Sequence, residues 1–250
     1  MSAKRSRLRI RRLVAAALAA AAFCAYLIAN PKSYQTQTST TKTADDTQSV
    51  ALKDTQTTAD SLLARDVLDD LAVREKDTSE KYYRKLFYDS WSTTSSGCNM
   101  RDAILTRDLT EIVFDGCKVM SGKLNDPYTG QTINFTRGQD TSSAIQIDHV
   151  VALSNAWATG ASKFDQTTRY NMSQDPLNLL AVDGKANQDK SDQDAADWLP
   201  PNTAFHCQYV ARQISVKYKY HLWVTPKEKI AMQNVLTTCP TETTVGLENQ

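Results

Sequence analysis

The part of this chain richest in reactive side chains lacks a basic surplus. Residues 81–250 carry 17 Lys and Arg against 18 Asp and Glu, a net charge of −1. Non-specific nucleic-acid binding runs mostly on phosphate neutralisation, so this balance counts against a broad polyanion-binding surface and leaves only a local basic patch. The five cysteines lack the two-to-four-residue spacing of zinc knuckles, which argues against a zinc site. Residues 31–58 are rich in Thr, Ser, Gln and Asp and nearly lack large apolar side chains. Such a segment buries too little surface to offset its ordering entropy and reads as a disordered tether. Residues 1–12 have no acidic residue at all.

Those first residues do carry Lys4, Arg5, Arg7, Arg9, Arg11 and Arg12, and the run from Leu13 to Ala29 behind them is apolar or small throughout. A cationic flank before such a run sends a chain to the export machinery, so residues 1–30 read as a signal peptide or an uncleaved anchor. In the anchored case residues 13–29 sit in a membrane; seventeen residues are just enough to span. Cys24 lies in this run. The remaining four, Cys98, Cys117, Cys207 and Cys239, form an even set suited to two disulfides outside the cytoplasm. The pairing Cys98–Cys117 and Cys207–Cys239 is favoured because each pair brackets one compact segment. No obligate protein partner is implied.

Leu62, Leu63, Val67, Leu68 and Leu71 recur at helical spacing, so residues 59–79 are expected to hold an amphipathic helix. The working domain is expected over 80–240, with a flexible tail at 241–250. Its early part reads as a helix at 100–108, a strand at Ile112–Phe114, and a hairpin turning at Asp126-Pro127-Tyr128-Thr129-Gly130. Then comes the apolar run Ala144–Leu153, which contains Asp148-His149. A helical stretch over 154–173 leads to a second run, Leu177–Val182. Asp183-Gly184 reads as a tight turn, 185–198 as a helix stopped by Pro200-Pro201, and 203–219 and 226–238 as two more helices. The last has Thr225 as cap, Pro226 at its first position and Glu228 three after the cap. The fold class is therefore α+β, a strand–insertion–strand–helix unit with an added N-terminal hairpin and surrounding helices.

Asp148 and His149 are adjacent on a strand, so their side chains diverge and suit two different tasks. His149, with an ordinary pKa near 6.5, is the candidate base that activates water. Asp148 is a hard ligand for a divalent ion that stabilises charge on a phosphate and its leaving oxygen. Asn187, at the start of the following helix, can offer a carbonyl oxygen to the same ion. One carboxylate and one amide bind Mg²⁺ or Mn²⁺ weakly, so substrate oxygens would complete the shell. Asn178, on the second strand, is placed to hydrogen-bond the backbone at His149. Lys190, one turn from Asn187 on the same face, is expected to meet a phosphate oxygen.

Ile-Asp-His-Val-Val at 147–151, and Asn178 to Asn187 followed by Lys190-Ser191-Asp192, resemble the HNH endonuclease superfamily with its ββα-metal fold. The wider pattern resembles secreted HNH-family proteins of actinobacteria, related to the C-terminal domain of a modification-dependent restriction system. It runs from Cys98 through Asp126-Pro127-Tyr128-Thr129-Gly130 to Trp198-Leu199-Pro200-Pro201 and Trp223-Val224-Thr225-Pro226. The resemblance covers roughly 80–240. It implies an exported metal-dependent endonuclease acting on nucleic acid, DNA ahead of RNA. Asp148 is then the metal ligand, His149 the general base, Asn178 the orienting residue, and Asn187 stands where the name-giving pattern has its last His. The competing reading is a non-catalytic nucleic-acid or surface-binding module on the same fold.

Overall fold

The computed structural model describes residues 61–139 and 141–248. The segments expected to be a signal peptide or anchor (1–30) and a tether (31–58) lie outside these residues. Among the described residues no helix is long and apolar enough to cross a membrane.

The domain is α+β. A short strand β1 (Ser61–Leu63) leads into α1 (Ala64–Asp70). After a long irregular stretch come α2 (Met100–Asp108) and three antiparallel strands, β2 (Leu109–Asp115), β3 (Lys118–Asn125) and β4 (Thr132–Thr136), in the order β2-β3-β4. Strand β5 (Ile145–His149) is separated from β6 (Leu179–Asp183) by α3 (Leu153–Ala158) and α4 (Gln166–Gln174). These two strands pair antiparallel, Ile145 opposite Asp183 and His149 opposite Leu179. β6 runs straight into α5 (Gly184–Lys190). Helices α6 (His206–Lys219) and α7 (Pro226–Leu236) follow, and β7 (Thr243–Glu248) closes the chain by pairing with β1.

The β5–β6 pair is buried on both faces by the period-two alternation of its side chains. Ile145, Ile147, Leu179 and Ala181 pack with Ile104 and Leu105 of α2. Leu180 and Val182 turn the other way, to Tyr209 and Ile214 of α6. A strand pair with bare edges would leave backbone groups unpaired. Here α2 covers β6: Arg107 donates to the Leu179 carbonyl at 2.7 Å, and Asp108 accepts from Ala181 N–H at 2.8 Å. Both disulfides form as expected: Cys98–Cys117 ties the chain before α2 to the β2–β3 turn, and Cys207–Cys239 joins α6 to the chain beyond α7.

The 126–130 turn does more than reverse the chain. Asp126 accepts from Thr129 N–H and hydroxyl, and its other oxygen accepts from Asp183 N–H at 2.9 Å. That link fastens the hairpin to the end of β6 and lays fully buried Tyr128 against β5.

Several expectations are corrected. The helix expected across 59–79 is only α1; Leu62 and Leu63, which fit its periodicity, lie within β1, whose partner is about 180 residues away in sequence. The tail expected to be flexible supplies that partner, β7. The stretch 154–173 is two helices broken at Gly160, whose φ of +135° is closed to most side chains. The expected turn at Asp183-Gly184 is a helix start. Asp183 caps α5 by accepting from Ala186 N–H at 2.7 Å. Gly184 is required there, because a Cβ would lie 2.1 Å from the Ser143 carbonyl oxygen. The helix expected over 185–198 stops at Lys190, since Ser191 turns to a φ of +52°. At α7 the full capping box between Thr225 and Glu228 is present.

Candidate active site

The strand–strand–helix unit opens on a cavity of about 620 Å³. Asp148 and His149 from the end of β5, Asn187 from α5, and Gln146, Ser154 and Asp192 all line it. Three of the residues singled out from the sequence are therefore on one wall.

His149 is 5% exposed, and its Nε2 lies 2.9 Å from the Ser173 carbonyl oxygen of α4. A carbonyl only accepts, so Nε2 carries the proton and the lone pair of the neutral ring sits on Nδ1. Among the described residues Nδ1 has no hydrogen-bond partner. The ring stacks on Trp91, with 5.9 Å between centroids and 9° between planes, and tilts against Tyr88 at 5.8 Å. Burial pulls its pKa down to about 3; the Ser173 bond opposes this, and the charges of Arg84 and Lys190 add to it. The imidazole is thus neutral over the whole physiological range.

Asp148 is also buried. Its Oδ2 accepts from the Tyr128 hydroxyl at 2.6 Å and its Oδ1 from Lys190 Nζ at 3.0 Å. Burial raises its pKa, outweighing Lys190 and the Tyr128 bond, while burial beside the carboxylate drives the Tyr128 phenol well up. Lys190 itself does not reach a phosphate position. Its side chain is wholly inaccessible and its second bond goes to the His149 carbonyl at 2.9 Å. Helical spacing places it correctly on Asn187's face, but Asp148 draws the amine inward as a counter-charge.

Asn178 is fully buried. Its Oδ1 accepts from Val151 N–H at 2.8 Å, its Nδ2 donates to the Val151 carbonyl at 3.2 Å, and its own carbonyl accepts from Val150 N–H at 2.8 Å. It grips the backbone just beyond His149 rather than His149 itself. Asn187 donates from Nδ2 to Gln146 Oε1 at 2.9 Å, which leaves its Oδ1 without a partner among the described residues.

This donor set fits a small, hard divalent ion. A carboxylate has about four acceptor positions, of which Tyr128 and Lys190 use two. The open amide oxygen of Asn187 lines the same cavity, and all donors are oxygens, as Mg²⁺ and Mn²⁺ prefer. Only one cluster of three potential metal-binding His, Cys, Asp or Glu side chains occurs among the described residues. It is Cys207, Cys239 and Glu242, and its two cysteines are already joined as a disulfide.

Four contributors escaped the sequence reading: Tyr128, Ser173, Trp91 and Arg84. Tyr128 was visible only as part of a turn, and Trp91 lies outside the elements and motifs read from the sequence. Ser173 acts through its backbone, which no residue type reveals.

An α+β domain with an acid, an imidazole and an amide gathered at a strand–strand–helix unit defines a class of site. Residues 74–235 match the family model of the C-terminal domain of GmrSD restriction endonucleases, and the chain belongs to that family. The matched span contains every residue of the cavity wall. The chain is also similar to an uncharacterized secreted protein of Arthroderma benhamiae. The two are 39% identical over 179 residues, 70% of this chain and 84% of the relative. No solved structure matches it.

Proposed function

We propose that this chain is an exported, metal-dependent endonuclease that hydrolyses phosphodiester bonds of nucleic acid, DNA ahead of RNA. The observation that carries this reading is the Nε2–Ser173 bond, which leaves Nδ1 of His149 as a fixed lone pair on the cavity shared with Asp148 and Asn187. Nδ1 takes a proton from the attacking water. The low pKa of His149 keeps the ring neutral, the form in which Nδ1 can accept a proton. Trp91 and Tyr88 hold the ring plane, and Asn178 holds the backbone beyond it; these are positioning residues. Asp148 and Asn187 would hold Mg²⁺ or Mn²⁺, which supplies Lewis-acid stabilisation of charge on the phosphate and the leaving oxygen. Membership of a restriction-endonuclease family supports the reaction class. Export is supported by the cationic flank before residues 13–29, by the two disulfides, and by a relative described as secreted.

A second reading has its own support. Lys190 neutralises Asp148, the one carboxylate in the proposed ligand pair, which weakens the attraction for a cation and favours a non-catalytic binding module on the same fold. Incubating the full chain with plasmid DNA and Mg²⁺ or Mn²⁺, with and without chelator, separates the two. Chelator-sensitive nicking is expected; intact plasmid across metals and pH values would leave only the binding module.

A further inference from the structure

With Lys190 withdrawn under Asp148, the site needs another group to meet the negative charge of a phosphodiester. Among the described residues lining the cavity, Arg84 is the one cationic side chain, and Asp148 and Asp192 are the acids of the same lining. Arg84 opens a short 3₁₀ turn, Arg84–Leu86, and is exposed. Its guanidinium lies over the Tyr88 ring, 5.1 Å from the centroid, and Nη2 donates to the Tyr88 hydroxyl. The other side of this arrangement is His149, packed 5.8 Å from the same ring. Tyr88 therefore sets the guanidinium and the imidazole relative to one another. A guanidinium has five donors in a planar fork; with one used on Tyr88, the rest remain for phosphate oxygens.

Building on the nuclease reading above, we propose that Arg84, braced by Tyr88, is the phosphate-binding residue of this site. It takes non-bridging oxygens of the phosphodiester that lies over His149. In a domain with no basic surplus, this contact carries a measurable share of the electrostatic binding.

The test uses the full chain and fluorescein-labelled DNA, single-stranded and duplex, with the matching RNA strand in parallel. Anisotropy in chelator gives affinity against salt concentration. Arg84→Ala is expected to flatten the log–log salt slope by about 0.7–0.9, the loss of one phosphate contact. In Mg²⁺ or Mn²⁺ its kcat/KM falls roughly 10- to 100-fold, as expected for losing a hydrogen bond to a charged group. Arg84→Lys restores the slope but only part of the rate, because it lacks the fork. Tyr88→Phe keeps the ring against His149 and frees the guanidinium, for a loss of about 2- to 10-fold. The melting temperature of Arg84→Ala stays at the wild-type value, since the side chain is exposed. An Arg84→Ala protein with wild-type slope and wild-type kcat/KM overturns the phosphate contact and leaves the nuclease reading standing. A lower melting temperature with an unchanged slope also overturns it, as a structural role. Wild-type protein that neither binds nor cleaves any of these nucleic acids overturns both.

Discussion

Two buried lysine–carboxylate pairs lie in this domain, and they end differently. Lys217 Nζ stands 2.9 Å from Glu228, with side chains 1% and 0% exposed; Lys190 Nζ stands 3.0 Å from Asp148, at 0% and 5%. Burying either pair carries the same kind of desolvation penalty. Lys217 uses all three of its donors, on Glu228, the Trp223 carbonyl and Asn155 Oδ1. Glu228 also closes the capping box of α7. That pair joins α6 to α7 inside the protein. Lys190 uses two donors, and Asp148 keeps acceptor capacity on a cavity wall beside His149 and Asn187. Burial lifts the carboxyl pKa in both pairs, so the pKa does not tell them apart. What does is where the unused valence points: into protein in one, into a cavity in the other.

The sharpest way to break this contrast is at the cavity. His149→Ala is expected to lower plasmid cleavage by about 10²- to 10⁴-fold, the usual contribution of a general base. Its circular dichroism spectrum should match the wild type. Cleavage at the wild-type rate would remove the distinction between the two pairs. Next in size is the helical pair. Lys217→Met leaves Glu228 charged and buried and should cost about 3–5 kcal/mol in urea unfolding. Its kcat, measured well below the melting temperature, should be unchanged. A cost below about 1 kcal/mol would mean that Glu228 finds other partners. Lys190→Met should cost less, nearer ~3 kcal/mol, because Asp148 keeps the Tyr128 hydroxyl and borders the cavity. It should also bind Mn²⁺ more tightly by calorimetry, since the counter-charge is gone; weaker Mn²⁺ binding would point to Lys190 as the support that positions the carboxylate.

The placement of Asp148, His149 and Asn187 on one strand–strand–helix unit, with Asn178 just ahead of the second strand, was legible because short-range rules govern it. An apolar run dictates each strand, and Asn187 stands one turn inside the helix that β6 feeds. The cap of α7 and the two disulfides were legible for the same reason: the signals are local or simply countable. What failed was depth and distance. Spacing put Lys190 on the right face of α5 but could not say that Asp148, 42 residues earlier, would pull it under the surface. The bond orienting His149 comes from a backbone carbonyl 24 residues on, and the β1–β7 pairing joins the two ends of the described chain. Helix lengths failed at Gly160 and Ser191, where positive φ breaks a run whose composition still reads as helical.

The smallest expected effect concerns Tyr128, which joins the hairpin to the site. Its hydroxyl donates to Asp148 Oδ2 at 2.6 Å while its ring packs edge-on to Trp198 and Tyr209, 5.1 and 5.7 Å between centroids. Tyr128→Phe keeps the rings and removes one hydrogen bond to a charged acceptor, so unfolding should become easier by about 1.5–3 kcal/mol. Among the described residues no side-chain donor from outside the pair reaches Glu228, which accepts instead from the Thr225 N–H at the cap of its own helix. Asp148 would then depend on Lys190 alone, while Glu228 keeps both Lys217 and the Thr225 N–H. If the cavity is what matters, Tyr128→Phe retains chelator-sensitive cleavage within about tenfold of wild type. If cleavage vanishes while the fold stays intact, the hydroxyl belongs to the chemistry of the site, and the boundary between its structural and its functional groups moves outward to the hairpin turn.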